Sequence, residues 1–175
     1  MKKLRVGVLG TGAFAEACHV PGLQSHPDVD VVVLCGRNAA RTRAMADRLG
    51  VPETSLDYEE VCARKDIDAV TIATPNVAHA MQARAAFAAG KHVFCEKPLG
   101  MNVLEASEMV RDAERSRAIH QVAFTYRYLY GVQALKRRLL QGDIGEPYHV
   151  RVQYASWEGV RPDSKIGFRE KRDCA

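Results

Sequence analysis

Lys97 stands between Glu96 and Pro98, directly after the apolar run His92–Cys95. An ammonium held at a strand end by a proline can donate a proton to an oxygen, or clamp charge that develops on it. In isolation, a neighbouring Glu and Lys are more often a solvated pair of little energetic weight. His79 lies in "TPNVAH", Thr74 to His79, where Pro75 closes another apolar run and Asn76 offers an amide. Alone, such a histidine is commonly a cap or a surface residue. The stretch "VLGTGAFA" sets Gly10, Thr11, Gly12, Ala13, Phe14 and Ala15 after a further apolar run. Glycines there permit a tight turn and a close backbone approach, and free amides at a helix start favour an anion. Whether these three groups cooperate depends on the elements that carry them.

Those elements alternate. Leu4–Leu9 reads as a short buried strand stopped by Gly10, and from Ala13 the pattern is helical to about Pro27. Asp28–Gly36 is a second strand. Ala39–Leu49 is a helix closed by Gly50, with Met45 and Leu49 on one face, and Asp57 caps a short helix to Val61. Ala69–Ala73 is a third strand. Val77–Ala89 is an alanine-rich helix with Ala78, Met81, Ala85 and Ala88 on one face, and Gly90 stops it. His92–Cys95 is a fourth strand. Asn102 with Glu105 forms a capping box that opens a helix to about Arg117, and Ile119–Thr125 is a fifth strand. The strands are continuous apolar runs, so helices cover both faces of the sheet: an α/β fold with a doubly wound parallel sheet. The glycine turn, "TPNVAH" and Glu96–Lys97 all follow strands, at the sheet edge where ligands bind in such folds.

The pattern changes after Tyr126. Val132–Gln141 reads as a basic-faced helix closed by Gly142. Tyr148–Trp157 reads as a strand with Tyr148, Val150, Val152 and Tyr154 on one face and His149, Arg151 and Gln153 on the other. Such alternation suits a sheet wet on one face. Residues 1–120 are therefore assigned to the parallel domain, and residues 121–175 to the beginning of an α+β domain with an open, mostly antiparallel sheet. From Glu158 onward the sequence has no period and reads as loop or disorder.

Composition narrows the class of function. The 175 residues are 47% hydrophobic, enough for one good core. Lys and Arg number 25 against 21 Asp and Glu, interspersed, which argues for a solvated surface rather than a nucleic-acid partner. The five cysteines include no Cys-x-x-Cys pair and the six histidines no metal-ligand spacing, so no metal site is expected and a reducing compartment is. The apolar run after the basic N-terminus is too short for a signal peptide, and no window approaches the ~18 apolar residues of a membrane span. A cytoplasmic protein with no membrane partner is the expectation.

Placed between a first strand and a first helix, Gly10-x-Gly12-x-x-Ala15 predicts a dinucleotide pyrophosphate site, with Ala15 allowing close helix–strand packing. The second strand ends in Gly36–Arg37 with no carboxylate, where NAD recognition calls for an acid on the ribose 2′-hydroxyl. Arg37 suits a 2′-phosphate, so NADP is favoured, with dual use of NAD left open.

Taken together, Gly10-x-Gly12-x-x-Ala15, Pro75-Asn76-x-x-His79 and Gly90-Lys91-His92-Val93 leading to Glu96-Lys97-Pro98 resemble the glucose–fructose oxidoreductase/inositol dehydrogenase family (Gfo/Idh/MocA). Tyr126-Arg127 and "GDIGEP", Gly142–Pro147, extend the likeness, although no proline follows closely after Arg127 as the family pattern has it. The resemblance implies a Rossmann-type domain and an NAD(P)-dependent oxidoreductase. It implies hydride transfer between the nicotinamide and a secondary alcohol or carbonyl of a sugar, polyol or related compound. It puts Lys97 beside nicotinamide and substrate as the catalytic residue. Thr74, Pro75, Asn76, His79 and Glu96 would stand in the cofactor site, and Arg127 with Lys97 in the substrate site. Members associate as homo-oligomers through the second domain, which supplies a Gly-Gly-x-x-x-Asp-x-Gly-x-His segment to the substrate site. That segment is not in these 175 residues. The expectation is therefore a fragment that binds cofactor and turns over little substrate. The alternative is a non-catalytic nucleotide-binding or regulatory protein that keeps the fold.

Overall fold

Residues 2–155 are described by a computed structural model. The strands are β1 (Leu4–Leu9), β2 (Val29–Cys35), β3 (Glu53–Ser55), β4 (Ala69–Ile72), β5 (His92–Cys95) and β6 (His120–Val122). The helices are α1 (Val20–Gln24), α2 (Ala39–Leu49), α3 (Tyr58–Ala63), α4 (His79–Ala88), α5 (Val103–Ser116) and α6 (Tyr130–Gln141). All six strands form one parallel sheet in the order β3-β2-β1-β4-β5-β6. The order runs outward both ways from β1 and β4, which makes a crevice between them at the carboxyl edge.

Side chains leave a strand alternately to its two faces, so a sheet covered twice needs apolar residues at every position. Val8 and Leu34 join Val20, Met45 and Val51 in one core cluster. Leu9 and Val33 join Val61, Ile72, Phe87 and Met109 in the other. The caps follow the sequence. Asn38 Oδ1 accepts from the Arg41 N–H at 2.9 Å, Asp57 Oδ1 from the Glu59 N–H at 2.8 Å, and Asn102 Oδ1 from the Glu105 N–H at 2.9 Å. Gly50 ends α2 with φ +66°.

Four readings need correction. β3 escapes detection because its three residues are polar and lie at the sheet edge. The expected helix from Ala13 to Pro27 is a π-helical turn, Ala15–His19, followed by the short α1. In α4 the buried residues are His79, Ala80, Gln82, Ala83, Ala86 and Phe87, while Met81 is 55% exposed. A helix of alanines has little intrinsic amphipathicity, so the large Phe87 decides which side faces the core. Among its described residues, Tyr148 to Ala155 form no strand, and Tyr148, Val150, Val152 and Tyr154 are all exposed. A strand exists through its backbone ladder, and the described residues of this segment join none, although the Tyr154 hydroxyl accepts from that of Tyr126 at 3.1 Å. Trp157 and the tail from Glu158 lie outside the described residues. The chain divides between Ala123 and Phe124 into two compact units.

Ion pairs gather at the amino edge of the sheet. Arg64 bonds Glu53 at 2.6 Å and Asp66 at 2.8 Å, and Arg5 reaches Asp66 at 2.9 Å. The buried Lys91 ammonium donates to the carbonyls of Arg64 and Ile67, at 2.6 and 2.8 Å. The Arg64 guanidinium, and after it Arg5, hold the Asp66 carboxyl well below its ordinary 3.8. Arg64 also lowers Glu53, and the Arg5 N–H lowers Asp68. Folded values below the unfolded ones mean that the unfolded chain binds more protons in acid. This stabilisation is present above the ordinary carboxylate values and is lost as pH falls through the folded ones. The expected outcome is a urea midpoint that drops below about pH 4, with a shallower drop in Arg64→Ala. An Arg64→Ala profile parallel to wild type would contradict it.

Candidate active site

The β1, β4 and β5 strands are neighbours, and each releases a loop at the carboxyl edge. The first is the glycine turn. Gly10 has φ +121°, a region closed to L side chains, and a Cβ there would run into the Ala73 carbonyl. Its N–H donates to the Cys35 carbonyl at 2.8 Å. Gly12 differs: a Cβ there would meet only the Ala73 oxygen, 4.0 Å away. Among the described residues nothing requires glycine at that point, so the bare backbone faces open space, as a pyrophosphate cradle does. Ala15 is fully buried, whereas Ala13 is exposed and Phe14 45% exposed.

The β2 loop lies beside this turn. Gly36 admits the Thr11 side chain, whose Cγ2 would stand 2.6 Å from an added Cβ, and the Thr42 hydroxyl crowds the same point. Arg37 is exposed and its guanidinium has no partner among the described residues. Arg41, also exposed, stands in the first turn of α2, where no acid balances it.

The β4 loop carries Thr74, Pro75 and Asn76, all half-buried, into a 3₁₀ turn at Asn76–Ala78. Thr74 Oγ1 donates to Gln82 Oε1 at 2.7 Å. His79 is 1% exposed, and both ring nitrogens are engaged by backbone carbonyls. Nδ1 lies 2.6 Å from the Pro98 oxygen and Nε2 2.9 Å from the Thr74 oxygen. His79 thus ties the β4 loop to the β5 loop and has no free nitrogen for a ligand.

The β5 loop holds Glu96, Lys97 and Pro98, with the Lys97–Pro98 bond cis. Glu96 is buried. Its Oε1 accepts from His19 Nε2 at 3.0 Å and its Oε2 from the Lys97 N–H at 3.2 Å. Lys97 is exposed, and its ammonium has no partner among the described residues. Next to it, burial and then the Glu96 charge push the Cys95 thiol up to about 12, which removes it as a nucleophile. Arg127 belongs to the unit that begins at Phe124, in a 3₁₀ turn whose Arg127 carbonyl accepts from the Gln133 amide.

Sequence reading passed over His19. It is buried against Thr71 and Glu96, and the only signal is its place four residues after Ala15, on the side turned to the sheet.

The pattern of the oxidoreductase family with an NAD-binding Rossmann fold (GFO_IDH_MocA) matches residues 4–124. The chain belongs to this family. Levoglucosan dehydrogenase of Pseudarthrobacter phenanthrenivorans is 31% identical over 182 residues, which span 100% of this chain and 47% of that protein. An oxidoreductase domain protein from Kribbella flavida superposes with a TM-score of 0.94 at 36% identity, over 100% of this chain and 49% of that one. Scyllo-inositol dehydrogenase of Lactobacillus casei, solved with bound NAD(H) and scyllo-inositol, gives 0.78 at 26% identity over 83% and 43%. The chain spans about half the length of the curated relatives it matches. The parallel sheet and the family that the motifs imply are both present. No described helix is long and apolar enough to cross a membrane.

The two loop glycines differ in what they do, and substitution separates them. Gly10→Ala places a side chain in forbidden backbone space and should cost at least about 1–3 kcal/mol of stability. Gly12→Ala should leave urea unfolding within about 0.5 kcal/mol and weaken dinucleotide affinity. Comparable destabilisation by both would show that Gly12 serves packing rather than a ligand.

Proposed function

We propose that this chain is the cofactor-binding part of an NADP-preferring oxidoreductase acting on a secondary alcohol or carbonyl of a sugar, polyol or related small molecule. The observation that carries the reading is an exposed Lys97, without a partner among the described residues, on the same sheet edge as the open backbone at Gly12. Placed at that edge, an ammonium with no partner among the described residues is available to a substrate oxygen. The relatives named for levoglucosan and scyllo-inositol support the substrate class.

In this reading the Gly10–Ala15 amides hold the pyrophosphate, and Arg37 pairs with the 2′-phosphate. When bound, the nicotinamide supplies or accepts the hydride. The chain's own part is to orient and to handle the proton. Lys97 Nζ donates a hydrogen bond to the substrate oxygen, fixes the reacting carbon in place and stabilises negative charge on that oxygen. Glu96 accepts from the Lys97 backbone N–H, and His79 bonds the Pro98 carbonyl in the turn that follows, so both tie down the backbone that carries Lys97.

Fluorescence titration tests the cofactor preference. NADPH should bind more tightly than NADH, and Arg37→Ala should remove about 1.5–3 kcal/mol, roughly ten- to a hundredfold, from NADPH alone. Equal affinities in the wild type would contradict it. For the reaction, the chain loaded with 4-deuterated NADPH is mixed with a panel of ketoses and cyclitol ketones, and products are read by mass spectrometry. Deuterium should appear on a carbinol carbon more slowly than the usual ~1–10³ s⁻¹, and Lys97→Met should abolish it. No label in any product would favour a nucleotide-binding protein without chemistry.

A further inference from the structure

Behind Lys97 lies a buried polar chain of which the proposed chemistry uses only the Glu96 end. His19 is 7% exposed, Thr71 1% and Glu96 9%. His19 Nδ1 meets Thr71 Oγ1 of β4 at 3.1 Å, and Nε2 meets Glu96 Oε1 at 3.0 Å. An ionised carboxylate only accepts, so the imidazole carries its proton on Nε2 and donates it to Glu96. The other carboxylate oxygen takes the Lys97 N–H. At the opposite end, the His19 ring packs edge-on against Phe14, with centroids 5.4 Å apart. Phe14 belongs to the glycine turn, and His19 closes the π-helical turn Ala15–His19 that grows out of it. π-Helical turns are rare and concentrate at functional sites.

We infer that His19 is a positioning residue that couples occupancy of the glycine turn to the placement of Lys97, acting through Glu96. The coupling is mechanical. A pyrophosphate settling on Gly12 moves or stiffens the turn that carries Phe14 and starts the π-helix. His19 is bonded at both nitrogens and buried, so it cannot absorb that displacement by rotating. The rigid two-oxygen carboxylate of Glu96 passes it to the Lys97 amide. Every polar atom in the chain has a partner, which makes it stiff, and loss of the His19 donor would leave a buried carboxylate half-paired. Lys97 would then take its working position only once cofactor is in place, an ordered preparation of the site for substrate.

The inference rests on the dinucleotide reading, and the test separates the two. ADP carries the pyrophosphate but no nicotinamide, so it cannot touch Lys97. Amide ¹H–¹⁵N spectra are recorded with and without saturating ADP for wild type, His19→Leu and His19→Gln, whose Nε2 can still donate to Glu96. Expected are shifts at Gly10–Ala15 in all three, and a Lys97 amide shift in wild type and His19→Gln that is lost in His19→Leu. A Lys97 shift that survives in His19→Leu overturns the inference, as does its absence in wild type while the glycine turn responds. No response at Gly10–Ala15 overturns the dinucleotide reading, and the coupling falls with it. Should His19→Leu fail to fold, the wild-type imidazole ¹⁵N spectrum decides. A His19 Nε2 without a slowly exchanging proton overturns the inference.

Discussion

The Ala73 N–H donates to the Leu9 carbonyl at 2.8 Å, which fixes the Ala73 carbonyl in the space a side chain at Gly10 would need. That single close approach governs the carboxyl edge. Gly10 can turn at φ +121° only because it has no Cβ, and the turn sends the chain across the end of β4 instead of away from it. Gly12 is thereby carried over the crevice between the two halves of the sheet with its backbone bare. The same ladder continues outward, since the Glu96 N–H donates to the Ile72 carbonyl at 2.9 Å and so sets the start of the β5 loop. The positions of the glycine turn, of Thr74 and of Lys97 are thus consequences of strand register more than of loop sequence.

Charge is distributed unevenly between the two edges. At the amino edge Arg5, Arg64, Glu53 and Asp66 neutralise one another, and Lys91 is consumed by two carbonyls. At the carboxyl edge the buried groups are satisfied internally, while the guanidinium of Arg37 and the ammonium of Lys97 extend without described partners. A positive, unsatisfied edge beside free amides attracts an anionic ligand, whereas the paired edge serves stability. The buried histidines fit this division. His79 joins two loops through their carbonyls, and His19 joins a helix, a strand and a loop through side chains.

The parallel sheet was legible because continuous apolar strands such as Val31–Cys35 leave no face for water, and because Gly50 and Asn102 mark helix ends by local chemistry. The glycine turn and Glu96–Lys97–Pro98 were legible as motifs because each follows a strand. What was hidden depends on contacts distant in sequence. β3 exists because β2 has an open edge for it. The buried side of α4 depends on where Phe87 fits. The alternation at Tyr148–Tyr154 describes a strand only if a neighbouring strand forms a backbone ladder with it, and none of the described strands does. His19 carried no local signal because its partners, Thr71 and Glu96, are 52 and 77 residues away.

The central claim is that one ligand site is formed by the loops that follow β1, β2, β4 and β5. A crystal structure of the chain with NADP tests it most directly. The account requires the pyrophosphate on the amides around Gly12, the 2′-phosphate beside Arg37 and the nicotinamide ring within reach of Lys97. A dinucleotide bound elsewhere, for example in the groove between α4 and α5 lined by Arg84, Asp112 and Arg115, with the Gly12 backbone left to solvent, would contradict it.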